Sequence, residues 1–182
     1  MEAIKKIELN KIFKLILLAA AGSILLTISA KIKIPFYPVP MTMQTFVVLL
    51  LGITLGKKVG FLTVSLYLFE GIFGLPVFAG TPEKGIGFVY FTGPTMGYLI
   101  GFLAAVYLTG FFTFDNNFFK NFAKLLFSVS FIYLLGLIWL GSLIGWDKPV
   151  FKLGAQPFLL AELFKISLLA LLIPKILKFR KL

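Results

Sequence analysis

The sequence predicts an all-α membrane protein, a bundle of six transmembrane helices with structured outer loops. Two observations lead there. Of its 182 residues, 59% are hydrophobic and 14% charged, whereas soluble domains average roughly 45–50% apolar and about 25% charged. A small water-soluble core cannot hide that excess, because small domains leave much of their surface exposed. The apolar residues are also gathered into runs separated by loops rich in Pro, Gly and Lys, the pattern of successive membrane spans. The whole chain, residues 1–182, reads as a single unit.

The first run covers residues 12–30 and is broken only by Lys14; its 19 residues extend about 28 Å, close to a hydrocarbon core of roughly 30 Å. Lys31 and Lys33 follow where a signal-peptide cleavage site would need small residues, so the run is expected as a retained helix. Residues 34–40 are too dense in proline for helix interior and read as an apolar loop. Two shorter runs, 43–55 and 59–73, flank Gly56-Lys57-Lys58 and predict a tight helical hairpin with a basic tip. A second loop, residues 74–92, is rich in glycine. Gly93-Pro94 opens the fourth span, up to Phe114, with Pro94 near the first turn, where its missing N–H costs least. A polar turn at 115–120 precedes a fifth span, 125–146, and a loop at 147–156. The sixth span, 157–173, is expected to end at Pro174 before a basic tail.

Six spans put both termini on one side. That side, with the Lys57–Lys58 tip and the turn at 115–124, holds twelve Lys or Arg against five on the other. The positive-inside rule then sets both termini in the cytoplasm and turns the two Pro/Gly loops outward. The net charge of +11 thus reads as a topology signal and a contact with anionic lipid, not as a nucleic-acid surface.

The chain has no Cys and no His, which excludes disulfides, thiolate or histidine metal sites and the usual acid–base chemistry. No Gly-rich stretch ends in Gly-Lys-Ser/Thr, so no P-loop is present. The expectation is a protein that is no enzyme and carries no cofactor and no metal. Ionisable residues at membrane depth are costly and mark cavities or partners. Three fall there: Glu70, Glu162 and Lys165. Glu162 and Lys165 are three apart and share a helix face. Two readings stand for them: a structural ion pair, or a hydrogen-bonding pair for a neutral ligand that both donates and accepts, such as a cyclic urea. Glu70 sits near its helix end, where reaching for the interface competes with ligand contact. Glycines from Gly80 to Gly87 would let backbone N–H groups approach a ligand, and Lys84 could meet a carboxylate. Phe36, Tyr37, Phe78, Tyr98 and Trp146 offer apolar walls, though Tyr and Trp gather at interfaces anyway. Thr42 and Gln44 begin the second helix, as cap or as ligand contact.

The stretch Ile34-Pro35-Phe36-Tyr37-Pro38-Val39-Pro40-Met41-Thr42-Met43-Gln44-Thr45-Phe46 resembles the BioY family, the biotin-specific capture proteins of energy-coupling-factor transporters. So do Gly74-Leu75-Pro76-Val77-Phe78-Ala79-Gly80 and Gly93-Pro94-Thr95-Met96-Gly97-Tyr98, in the same order. The likeness covers roughly residues 34–110 and resumes at Pro157-Phe158 with Glu162 and Lys165. The resemblance implies biotin held near the outer face of a six-helix bundle. It also implies a membrane coupling protein and two cytoplasmic ATPases as partners, in the cytoplasmic membrane. In that family an Asp and, three residues on, a Lys lie near the ureido ring; here the acid is Glu162, one methylene longer. Where some relatives carry an Arg after the Gly-Tyr pair for the ligand carboxylate, this chain has Leu99. The family's first helix packs small residues on the coupling subunit, a role that Ala19, Ala20 and Ser23 would take here, if they are not simply packed inside this protein. Another vitamin or a biotin precursor as ligand, and a scaffold without ligand, remain the alternatives.

Overall fold

The computed structural model describes residues 2–34, 38–39, 41–83 and 85–180. Helix α1 (Glu2–Lys31) leads into a minimal antiparallel ribbon, β1 (Lys33–Ile34) against β2 (Met41–Thr42). Then come α2 (Gln44–Ile72), α3 (Phe88–Phe91), α4 (Met96–Phe111), α5 (Phe118–Ile144), α6 (Val150–Gly154), a 3-10 turn (Gln156–Phe158) and α7 (Leu159–Arg180). Four stretches among the described residues are long and apolar enough to cross a membrane: Ile12–Lys31, Gln44–Ile72, Phe118–Ile144 and Val150–Lys178. Helix α4 is apolar but shorter. The protein is therefore a mostly helical, multi-pass membrane protein.

Helix α2 is not straight. Gly56 has φ +74° and ψ 175° in its middle, a conformation that costs a residue with a Cβ and that glycine tolerates. The chain turns back there, so that the Nε2 of Gln44 reaches the hydroxyl of Tyr67 at 2.7 Å. In a straight helix those residues would stand about 35 Å apart. The two legs of α2 thus form the hairpin expected around Gly56-Lys57-Lys58.

The core runs between α2, α4 and α5, with α1 packed on α2 and α7 closing the bundle against α5. Helices α4 and α5 approach closely because glycines meet. A Cβ at Gly101 would lie 2.6 Å from the Cα of Ile132, and one at Gly136 would enter the ring of Tyr98. Small residues at the crossing are the usual route to tight packing in lipid, where apolar surface alone gives no drive to associate.

Several features differ from the sequence expectation. Helix α5 starts at Phe118, inside the expected polar turn, because the Asn117 side chain caps it by accepting from the Lys120 N–H at 3.0 Å. Helix α7 runs through Pro174 to Arg180; within membranes neighbouring helices make an internal proline tolerable. The loops at 74–92 and 147–156 contain the short helices α3 and α6, which their glycines and prolines concealed.

Candidate ligand-binding site

The residues that converge come from α2, α4, α5 and α7, together with the loop after α2 and the ribbon. They surround a cavity of about 60 Å³. Thr42, Gln44, Thr45, Tyr90, Tyr98, Tyr133, Glu162 and Lys165 supply its polar groups, and Val39, Ala79, Leu99, Phe102, Ile132 and Phe158 its apolar wall. A water needs roughly 10–15 Å³ of such space, so the cavity holds a few waters and no more.

Glu162 and Lys165 are both buried, and their side chains form an ion pair at 3.1 Å through Glu162 Oε2. One helical turn of α7 brings them together, as their spacing predicts. The Lys165 ammonium also donates to the carbonyl of Thr42 at 2.9 Å and to the Thr45 hydroxyl at 2.8 Å. All three of its donors are thereby used. The same carboxylate oxygen, Oε2, accepts from the Tyr133 hydroxyl at 2.9 Å. Its sister Oε1 is buried with no hydrogen-bond partner among the described residues. Such an acceptor loses its water without replacement, which costs free energy until a donor arrives.

A second network braces the covering loop. Gln44 donates to the Tyr67 hydroxyl, which donates onward to the carbonyl of Val77 at 3.1 Å. The Gln44 N–H meets the Thr42 hydroxyl oxygen at 3.3 Å just before the helix starts, while the Gln44 side chain acts as a strut. Phe78 lies 1% exposed, stacked on Tyr90 at 5.1 Å and edge-on to Tyr67 at 5.4 Å. It anchors the loop from beneath, while its neighbour Ala79 reaches the cavity. The hydroxyl of Tyr90 donates to the carbonyl of Ala79. Burial raises that phenol above its ordinary value, so it stays a donor. From the end of α1, the Lys31 ammonium donates to the carbonyls of Pro76, Phe78 and Thr81 at 2.8, 3.1 and 3.2 Å.

Of the residues singled out in the sequence, Glu162, Lys165, Thr42, Gln44 and Tyr98 line the cavity. Tyr98 presents its ring, since its hydroxyl donates to the carbonyl of Gly154 at 2.8 Å. Phe78 stands behind the wall, and Gly80 turns the loop with φ +83° rather than lining the cavity. Trp146 is 65% exposed and packs on Gly141, away from the cavity. Phe36, Tyr37 and Lys84 lie outside the described residues. Glu70 accepts from the buried Ser23 hydroxyl of α1, so its partner is a neighbouring helix. That contact turns Ser23 inward, whereas Ala19 and Ala20, the other two small residues singled out on α1, stay partly exposed. Tyr133, Thr45 and Tyr90 were missed in the sequence. A signal existed for Tyr133: it sits mid-helix, far from either interface, where a phenol needs a partner.

The BioY family profile matches residues 4–181. A probable biotin transporter BioY from Pyrococcus horikoshii is 36% identical over 143 residues, covering 79% of this chain and 83% of the relative. The biotin transporter BioY of Thermotoga maritima is 36% identical over 149 residues, covering 81% and 86%. Among solved structures, the S-component for biotin from an ECF-type ABC transporter superposes with a TM-score of 0.76 at 28% identity, over 93% of each chain.

Proposed function

This chain belongs to the BioY family, and from that premise we propose that it is the biotin-capturing subunit of an energy-coupling-factor transporter. It is a transport subunit and not an enzyme. Curated relatives named as biotin transporters and the biotin S-component of similar fold support the reading. The observation that carries it is the orphaned Glu162 Oε1, buried beside Lys165 at the cavity. A cyclic urea offers N–H donors next to a carbonyl. One N–H would satisfy Oε1, and the ammonium would meet the urea carbonyl by sharing a donor with Thr45 or Thr42. A site whose buried groups are completed only by the right ligand rejects analogues lacking those groups.

The small cavity makes binding a coupled event. Biotin enters only if the two loops carrying Val39 and Ala79 move outward, then close over it. Lys84 and the N–H groups from Gly80 onward are proposed to meet the valerate carboxylate, with Tyr37 as a further wall. Leu99 lines the cavity as an apolar residue and offers the carboxylate nothing.

Six spans are proposed: α1, the two legs of α2, α4, α5 and α7, with both termini in the cytoplasm by the positive-inside rule. The proposed partners are a transmembrane coupling protein, contacted through Ala19 and Ala20, and two cytoplasmic ATPases. No resident cofactor or metal is proposed. Isothermal titration of the purified protein with biotin, dethiobiotin and thiamine tests the function. Selective biotin binding that is weakened roughly ten- to a hundredfold, but still measurable, in Glu162→Gln is expected. A folded sample giving neither heat nor thermal stabilisation with biotin would refute it.

A further inference from the structure

We propose that Tyr133 is the positioning residue that decides which face of the Glu162 carboxylate meets the ligand. Glu162 stands in a thin wall. It lines the ligand cavity on one side and, on the other, an apolar crevice of about 400 Å³ between α5 and α7. A carboxylate in such a wall can turn either way. The crevice offers little to attract it: apart from Tyr133, its one hydroxyl is Ser130, which already donates to the carbonyl of Phe127 at 2.7 Å.

Tyr133 belongs to both surfaces as well. Its hydroxyl donates to Oε2, the oxygen already held by Lys165, and so leaves Oε1 as the single open acceptor. The ring is fixed in turn. It meets Tyr98 edge-on, with centroids 6.1 Å apart and planes at 90°, and Tyr98 is pinned to Gly154. Helix α5 thereby sets the carboxylate of α7, and does so through one phenolic O–H on a side chain held by packing. A donor on a rigid ring fixes direction better than a flexible one could, because little rotamer freedom is left to lose.

This inference rests on the biotin reading, and a double-mutant cycle with Glu162→Gln tests it. Tyr133→Phe keeps the ring and its contact with Tyr98 and removes only the hydroxyl. Biotin affinity should fall roughly tenfold, the size of one hydrogen bond to a charged group. In the Glu162→Gln background the same substitution should change affinity less than about twofold, because the group it positions is already altered. A parallel thermal scan without ligand separates the two roles. If Tyr133 only packs the wall, its loss in affinity will be the same in both backgrounds and will follow the loss of thermal stability; either result overturns the proposal. Absence of biotin binding by the unsubstituted, folded protein overturns the biotin reading and this inference with it.

Discussion

Replacing Lys165 by Met removes the ammonium from the cavity wall and keeps most of the volume of the stem. The pair it breaks is 5–6% exposed on both sides, so solvent cannot take the place of the lost charge. Glu162 would keep a single donor, the Tyr133 hydroxyl. The Thr42 carbonyl and the Thr45 hydroxyl would each lose the ammonium. Removing one member of a buried pair costs about 3–5 kcal/mol. At about 2–4 °C per kcal/mol for a chain of this length, the apparent melting midpoint should fall by roughly 6–20 °C. Intrinsic fluorescence of Trp139 and Trp146 in detergent, without ligand, reads that midpoint. Adding Glu162→Gln removes the stranded charge and leaves a neutral amide, whose unpaired groups cost about 1–3 kcal/mol. The double variant should therefore recover part of the lost stability, while biotin binding stays absent. A Lys165→Met protein melting within about 2 °C of the parent, or a double variant less stable than the single one, would refute the idea that buried charge dominates this wall.

Three further outcomes follow from the same geometry. Gly101→Ala should destabilise the fold by about 1–3 kcal/mol, since its Cβ would meet the backbone of Ile132; an unchanged midpoint would show that α4 and α5 can part freely. Tyr67→Phe removes both the acceptor for Gln44 and the donor to Val77. It should cost about 1–3 kcal/mol and loosen the covering loop, read as faster amide exchange around Val77. Lys31→Met frees three carbonyls of the same loop. Because Lys31 is largely exposed, the cost should stay near 1 kcal/mol, with the clearer effect being faster proteolysis at residues 75–81.

Much of the fold was legible in the chain because bilayer physics writes itself locally. Apolar run lengths located the long apolar helices, and Gly56 beside two lysines located the hairpin turn, which the backbone makes at φ +74°. The i, i+3 spacing alone placed Glu162 and Lys165 on one helix face, and they meet. Boundaries were read less well. Asn117 starts α5 earlier than the hydrophobic run does, and α7 continues through Pro174, since capping and neighbouring helices override the local signal.

The candidate site divides in the same way. The types of polar group at membrane depth were in the sequence, but their partners were not. That Oε1 of Glu162 stays open while Oε2 is taken twice depends on Tyr133, 29 residues away on another helix. That Gln44 supports the loop through Tyr67, and that Ser23 turns toward Glu70, depend equally on how helices cross. Composition and spacing act along the chain and fix which residues must leave the lipid. Only packing decides whom each meets once there, because a buried donor or acceptor is satisfied by whatever the neighbouring helix brings within 3 Å or so of it.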